Sequence, residues 1–424
     1  MHIIYLIAGT FNAGGMERVM TGKANWLVQN GYEVSVITTD QRERKPYFPL
    51  DDRIRTYDLG INYDENNVDT TKVQKFKSSK VQEFRGFLRK ALNYPFKQWK
   101  HKRRLSALLM RLHADVVICM FNNDVPFVYK IKDGSRKILE IHFSKNKKLQ
   151  YNRRGLWALA DRWRTWQEEK YVRRYDRFVV LTQEDKELWG NLPNIQVIPN
   201  ALTFQPTQRA TLTHKRVLAV GRLDWQKGFD RLIDIWAKVQ DLLVANGSRL
   251  RVNESRAELV PTMPRESRLG RRPRVQEWHL DIVGNGPLHD ELQKQIDSQG
   301  LHESVRLLPP TSDIQPLYLS SSIFVLSSRY EGLPMVLLEA QAYGLPIVSF
   351  ACQCGPRDII HDGEDGFLIE ERNEELFALH LYELMQDITL RQRMGASAVT
   401  ASNAFTEKKV MASWDKIFKG FSSP

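Results

Sequence analysis

RVLAVGRLDWQKGFDRLIDIWAKV, residues 216–239, is the stretch on which the fold turns. Val217 to Val220 are uninterruptedly apolar and read as a strand buried on both faces. Gly221 to Gly228 form a polar loop. From Phe229 to Val239 the chain places Leu232, Ile235, Trp236 and Val239 on one face, the spacing of a helix. This strand–loop–helix unit restarts a pattern that has already run once. Upstream stand HIIYLIAG, with a helix opening near Gly15, then EVSVITT (33–39), VVICM (116–120), KILEIH (137–142), RFVVLT (177–182) and IQVIPN (195–200). Downstream follow WHLDIVG, VRLLP, IFVLSS and LPIVSF, with helical segments between them. Two successive βαβα series predict an α/β protein of two Rossmann-like, doubly wound domains facing a central cleft at the carboxyl ends of their strands.

The boundaries follow from composition. Residues 1–201 form the first domain, and 202–215, polar and containing Pro206, read as a linker. Residues 216–405 form the second domain, and a helix over 406–424 is expected to pack back on the first. One segment breaks the rhythm: about 241–276 reads as an insertion. Residues 249–274 hold eight Arg, no Lys, three Glu and three Pro without apolar periodicity. It reads as a tolerated insertion or as a polyanion-binding arm.

Bulk composition narrows the function. The 424 residues fit two domains, and 42% hydrophobic with 26% charged residues is ordinary for a globular protein. The apolar start, about eight residues, lacks a basic leader and a cleavage site, so it reads as a strand. No stretch reaches the roughly 20 apolar residues of a membrane span. Cys119, Cys352 and Cys354 are too few for a disulfide framework, which favours a cytoplasmic location, and they lack the partners of a zinc site. Residues 71–111 carry thirteen Lys or Arg against one acid, enough to account for the chain's net charge of +12. Phe76, Phe84, Phe87, Tyr94, Phe96 and Trp99 lie among them. Such a helix suits an anionic membrane surface, here the inner face of the cytoplasmic membrane. A solvated helical face is the other main reading, and no nucleic-acid partner is expected.

Four motifs carry chemistry. In GRLDWQKG, Arg222 and Lys227 stand at the mouth of a strand, a fork and a point charge suited to a diphosphate. In EGLPMVLLEA, Glu331 lies in a loop that Gly332, Leu333 and Pro334 turn into a helix bearing Glu339. Each carboxylate can accept from a vicinal diol, and the helix-start amides near Met335 and Val336 can bind phosphate oxygens. The plainer reading is a helix with one dipole-favoured acid and one on a solvated face, but a Glu inside VLLEAQA is set to be buried and needs a partner. In AGTFNAGGMERV, Gly14 and Gly15 allow backbone to approach a ligand. The spacing is not that of dinucleotide enzymes, although Asp40 sits where such enzymes hold a ribose, so an NAD-dependent oxidoreductase stays an alternative. His142, in EIHFS, ends a strand and is either a functional or a satisfied structural histidine.

In this order the motifs AGGMERV, EIHFS, VIPN, GRLDWQKG, VGNGP, EGLPMVLLEA and CGPRDIIHDGEDGFLI resemble glycosyltransferase family 4, the group 1 glycosyltransferases of the GT-B fold. The similarity is strongest to bacterial enzymes that add N-acetylhexosamine or galactose to surface glycans. It implies an acceptor-side first domain and a second domain that binds the nucleotide-sugar donor. It implies that Glu331 holds hydroxyls of the donor sugar and Glu339 the ribose diol. Arg222 and Lys227 would neutralise the diphosphate, Gly15 would add backbone contact, and His142 would approach the sugar near its sixth carbon. The base would meet backbone around Leu307 and Leu308. The reaction implied is retaining transfer of a hexose or N-acetylhexosamine, from a UDP-sugar, to a lipid-linked or polysaccharide acceptor. No Asp-x-Asp pair stands in a suitable place, so neither metal nor cofactor is expected; the nucleotide sugar is a substrate. The chain departs from the family pattern in the insertion, which could disturb WHLDIVG and the VGNGP loop. A non-catalytic sugar-nucleotide or polyanion-binding protein on the same fold is the alternative from another class.

Overall fold

The computed structural model describes residues 1–12, 14–63, 80–147, 156–190, 192–202, 204–249, 278–311 and 313–422. Two compact units emerge: Met1–Thr203 with Glu407–Pro424, and Phe204–Thr406.

Unit 1 is built on strands β1 (His2–Ile7), β2 (Glu33–Thr38), β3 (Arg55–Asp58), β4 (Val116–Cys119), β5 (Arg136–Glu140), β6 (Arg177–Val180) and β7 (Ile195–Val197). They form one parallel sheet in the order β3-β2-β1-β4-β5-β6-β7. All six residues of β1 are buried, as an interior strand with both faces covered requires. Alternate residues split between two cores. Ile3, Tyr5 and Ile7 join Met20, Ala24 and Leu27 of helix α1 (Gly15–Gln29). Ile4 and Leu6 face Leu105 and Leu109 of α2 (Lys80–Leu112), on the side that also holds Val172 at the end of α3 (Leu156–Val172) and Trp189 at the end of α4 (Gln183–Trp189).

Unit 2 repeats the plan with β8 (Arg216–Val220), β9 (His279–Val283), β10 (Val305–Leu308), β11 (Ile323–Leu326), β12 (Ile347–Phe350) and β13 (Gly366–Ile369), ordered β10-β9-β8-β11-β12-β13. Its helices are α5 (Phe229–Arg249), α6 (His289–Ser298), α7 (Gln315–Leu319), α8 (Met335–Tyr343), α9 (Pro356–Ile359), α10 (Glu374–Gln386) and α11 (Ile388–Ser402). The last helix, α12 (Glu407–Ser422), belongs to unit 1. Its Val410, Met411, Trp414, Ile417 and Phe418, at helical spacing, complete the core around Tyr5 and Val36.

The structure differs from the sequence reading in three places. Two strands escaped it, β3 (RTYD) and β13 (GFLI), both at sheet edges; β3 is largely exposed and has no apolar run to read. Helix α5 continues ten residues past Val239, with Leu243 against the core, so 241–249 are helical and not insertion. The rest of the Arg-rich segment, 250–277, lies outside the described residues, as do 71–79 of the basic stretch. The segment read as a linker packs on unit 2: Leu212 is buried, its carbonyl accepts from Arg391 Nε at 3.2 Å, and Ala210 N donates to Tyr343 O at 2.9 Å. The insertion leaves β9 undisturbed, in parallel register with β8 and β10.

Candidate functional site

In each sheet the strand order reverses once, between β1 and β4 in unit 1 and between β8 and β11 in unit 2. Ligands of doubly wound sheets bind at such switch points, beyond the carboxyl ends of the strands. In unit 2 those ends carry the two charged loops, 221–228 after β8 and 327–334 after β11.

The two loops are tied into one piece. Lys227 Nζ donates to Glu331 Oε1 at 2.6 Å, and Ser328 Oγ donates to the same oxygen at 2.6 Å. Glu331 is buried, and its Oε2 makes no hydrogen bond among the described residues. Arg329 grips Asp230 with both terminal nitrogens, at 2.8 and 2.6 Å, and donates to Trp225 O at 2.7 Å. Burial works to raise the Asp230 carboxyl, but the Arg329 guanidinium prevails and holds it below its ordinary value. Buried Arg231 donates from Nε to Ser327 O and from Nη2 to Ser328 O, with its guanidinium 4.0 Å from the centre of the Phe350 ring. Gly228 closes the first loop at φ +64°, and a Cβ there would lie 2.2 Å from Ser327 O. A third loop locks on top: Leu223 N donates to Asn285 O at 2.9 Å, and a Cβ on Gly284 would stand 1.8 Å from Gly221 O.

Arg222 is not part of this knot. It is 73% exposed and reaches Asp224 Oδ2 at 3.1 Å, so the structure separates the two cations the sequence pairs. Lys227 is held against Glu331, and Arg222 stands in solvent, its Nη2 also donating to Gln226 Oε1 at 3.4 Å. Gly332 and Leu333 make the turn into α8, whose start carries no side-chain cap. The first-turn amides of Met335 and Val336 therefore lack a capping side-chain oxygen, the condition for receiving an anion. One turn on, buried Glu339 accepts from Tyr318 Oη at 2.9 Å. Tyr318 stacks on Tyr343, ring centres 5.0 Å apart and planes within 7°. Leu307 and Leu308 end β10, half-buried, and Leu308 O accepts from Gly284 N.

In unit 1, Gly14 and Gly15 open α1, again without a side-chain cap, and nothing lies within 4 Å of where a Gly15 Cβ would stand. His142 follows the end of β5, its Nε2 3.0 Å from Glu140 Oε1. Asp40 is engaged with Arg42. The three cysteines are buried and form no disulfide, and burial pushes the Cys119 and Cys352 thiols up. Among the described residues no cluster of His, Cys, Asp or Glu suits a metal ion.

Sequence reasoning missed Arg231, Ser328, Arg329 and Tyr318. Arg231 leaves a trace, because a helix position in register with Leu232 and Ile235 is occupied by a charge beside the strand mouth. Nothing local marks Tyr318, whose partner is 21 residues away.

Two parallel doubly wound units, each with a switch point, make the GT-B fold. Residues 13–204 match the model of "Glycosyltransferase Family 4" and residues 263–400 that of "Glycosyl transferases group 1". The chain belongs to the group 1 glycosyltransferases and is a glycosyltransferase enzyme. It is 28% identical to an uncharacterized glycosyltransferase of Haemophilus influenzae over 97% of this chain and 98% of that protein. It is 26% identical to the amylovoran biosynthesis glycosyltransferase AmsD of Erwinia amylovora over 98% and 99%. A TarM mutant of S. aureus, solved with fondaparinux, α-GlcNAc-glycerol and UDP, shares the fold with a TM-score of 0.68 and 16% identity, covering 99% of this chain and all of that one.

Proposed function

We propose that this enzyme transfers a hexose or N-acetylhexosamine from a UDP-sugar, with retention of anomeric configuration and without a metal ion, to a lipid-linked or polysaccharide acceptor in surface-glycan synthesis. The observation that carries the reading is the Lys227–Glu331 pair at the β8/β11 switch point, beside the uncapped start of α8. Departure of a nucleoside diphosphate builds negative charge on the leaving oxygens, and fixed cations and amides stabilise it without reorganising. Lys227, Arg222 and the amides of Met335 and Val336 serve that role. Glu331 Oε2 takes donor-sugar hydroxyls, and Glu339, steadied by Tyr318, takes the ribose diol. Leu307 and Leu308 offer backbone to the base. Gly14, Gly15 and His142 keep the donor-facing roles that the family resemblance implies. In front-side attack the acceptor oxygen bonds to the anomeric carbon on the face from which the diphosphate leaves, and the acceptor's hydroxyl proton passes to a leaving phosphate oxygen. The names of AmsD and of the TarM complex support the surface-glycan and UDP assignments.

Attachment to an anionic membrane surface is part of the same reading. No helix among the described residues is long and apolar enough to cross a membrane. On α2, however, Tyr94, Phe96 and Trp99 are exposed, with Phe96 stacked on Trp99 and Arg103 over the Trp99 ring. Trp163 and Trp166 of α3 are exposed too, and Lys170 lies over Trp166. Apolar rings among cations are what an anionic bilayer binds.

A panel of nucleotide sugars against lipid-linked acceptors, with the product anomer read by NMR, tests the reaction. Retained configuration from a UDP-sugar in the presence of EDTA is expected. Inversion, or a strict metal requirement, would overturn it.

A further inference from the structure

Below His142 lies a buried pair of charges that the proposed chemistry does not use. Lys23, on the core-facing side of α1 between Met20 and Ala24, is 5% exposed; Glu140, at the end of β5, is 1% exposed. Lys23 Nζ donates to both carboxylate oxygens of Glu140, to Oε2 at 2.5 Å. The ammonium also lies 4.4 Å from the centre of the Trp414 ring on α12. Above the pair, the His142 side chain, 7% exposed, brings Nε2 to 3.0 Å from Glu140 Oε1, within ion-pair distance though not aligned as a hydrogen bond.

Stability does not explain the pair. Desolvating two charges costs about what their attraction returns, and an apolar pair of equal volume is often as good or better. What the pair supplies is direction. The Glu140 carboxyl is held at about 2, well below the ordinary glutamate range; burial opposes this, and the Lys23 ammonium overcomes it. It is therefore an anion, an acceptor only, which repels a lone pair on the nitrogen facing it and attracts a proton there. Lys23 cancels its charge, so the ring faces a neutral ion pair. Among the described residues neither ring nitrogen makes a hydrogen bond, and Nε2 is buried.

We propose that Glu140, anchored by Lys23, is the positioning residue for His142: it takes the Nε2 proton and leaves Nδ1 as a hydrogen-bond acceptor. An acceptor nitrogen receives a sugar hydroxyl and repels a carboxylate, so the site suits a neutral hexose or hexosamine over a uronic acid. The sugar half of this inference rests on the proposed function; the anchoring half does not.

The test uses the full chain labelled with 15N-histidine, the His142 signals being assigned by their loss in His142→Ala. Long-range 1H–15N spectra at pH 8.5 distinguish the tautomers. The wild type should carry its proton on Nε2, and Glu140→Gln, which keeps an acceptor, should preserve that. Lys23→Met with Glu140→Leu removes both charges together, so the fold is kept and no lone ion is buried. This variant should lose the tautomer preference. Its turnover of the preferred UDP-sugar should fall about tenfold or more, the scale seen when the partner orienting an imidazole is removed. An Nδ1–H tautomer in the wild type, or an unchanged one in the double variant, would overturn the anchoring. If His142→Ala keeps full activity while the tautomers behave as expected, the anchoring stands and the donor role of His142 fails.

Discussion

Glu331→Gln separates two tasks that the ion pair with Lys227 combines. The ammonium donates one of its three protons to Oε1 at 2.6 Å, so a phosphate oxygen can bind the same nitrogen without breaking the pair. With an N–H···O contact of about 2.8 Å, that oxygen lies no more than roughly 5.5 Å from the carboxylate. Two unit charges at that separation repel by about 1 kcal/mol in water and about 3 kcal/mol at an effective dielectric of ~20. Removing the charge and keeping the shape should therefore tighten binding of a nucleoside diphosphate by about fivefold or more. Sugar transfer should fall by about 100-fold or more, because a charge-assisted contact to the reacting sugar is lost. Titration calorimetry with UDP, ADP and GDP measures the first effect and a transfer assay the second. Lys227→Met should act oppositely on binding, weakening the diphosphate about tenfold or more, and the double variant reports the coupling. Weaker UDP binding by Glu331→Gln would refute the reasoning, because it would make the carboxylate an organiser of Lys227 and not its competitor. Unchanged turnover would remove Glu331 from the donor site.

Four further outcomes rest on separate observations. Tyr318→Phe removes the hydroxyl that donates to buried Glu339 and should cost about 1.5–3 kcal/mol, the scale of a hydrogen bond to a charge; an unmoved urea midpoint would deny that the bond matters. Gly284→Ala forces a methyl to 1.8 Å from Gly221 O and should destabilise unit 2 by about 1–3 kcal/mol, whereas Gly15→Ala has open space and should fold with unchanged melting. Asp124, fully buried against Cys119 Sγ at 3.2 Å, has its carboxyl pushed up to about 6, above its ordinary value of 3.8, chiefly by burial. The folded state then binds the extra proton, so stability from this group is present below about pH 4 and lost as pH rises to about 6, on the order of 3 kcal/mol; Asp124→Asn should flatten that slope, and an identical profile in urea titrations would contradict it. Trp414→Ala opens the core of unit 1 under α12 and should cost about 3–5 kcal/mol by urea denaturation; a loss below about 1 kcal/mol would mean α12 adds little to that core.

What the sequence made legible, and what it hid, divides by the range of the interaction. Periodicity is local, so eleven of the thirteen described strands could be read from runs such as HIIYLI and IFVLSS. The two missed, β3 and β13, lie at sheet edges; β3 is largely exposed and has no apolar run to read. The same locality put Glu331, Glu339, Arg222 and Lys227 on loops and a helix start, but it could not say which cation meets which acid. Sequence spacing suggested a matched pair, Arg222 with Lys227; Lys227 is bound to Glu331, 104 residues away, and Arg222 is solvated. Conflicts between a residue and its local pattern were the overlooked signal. Lys23 occupies a core position on the apolar face of α1, and Glu140 interrupts the apolar strand KILEIH. Each alone is a misplaced charge that should destabilise its element. Two such errors of opposite sign, both on elements that must cover the same sheet, predict each other as partners before any coordinate is known. The search for buried chemistry in a sequence of this kind therefore begins with charges that break an apolar period, paired by sign across elements destined for one face.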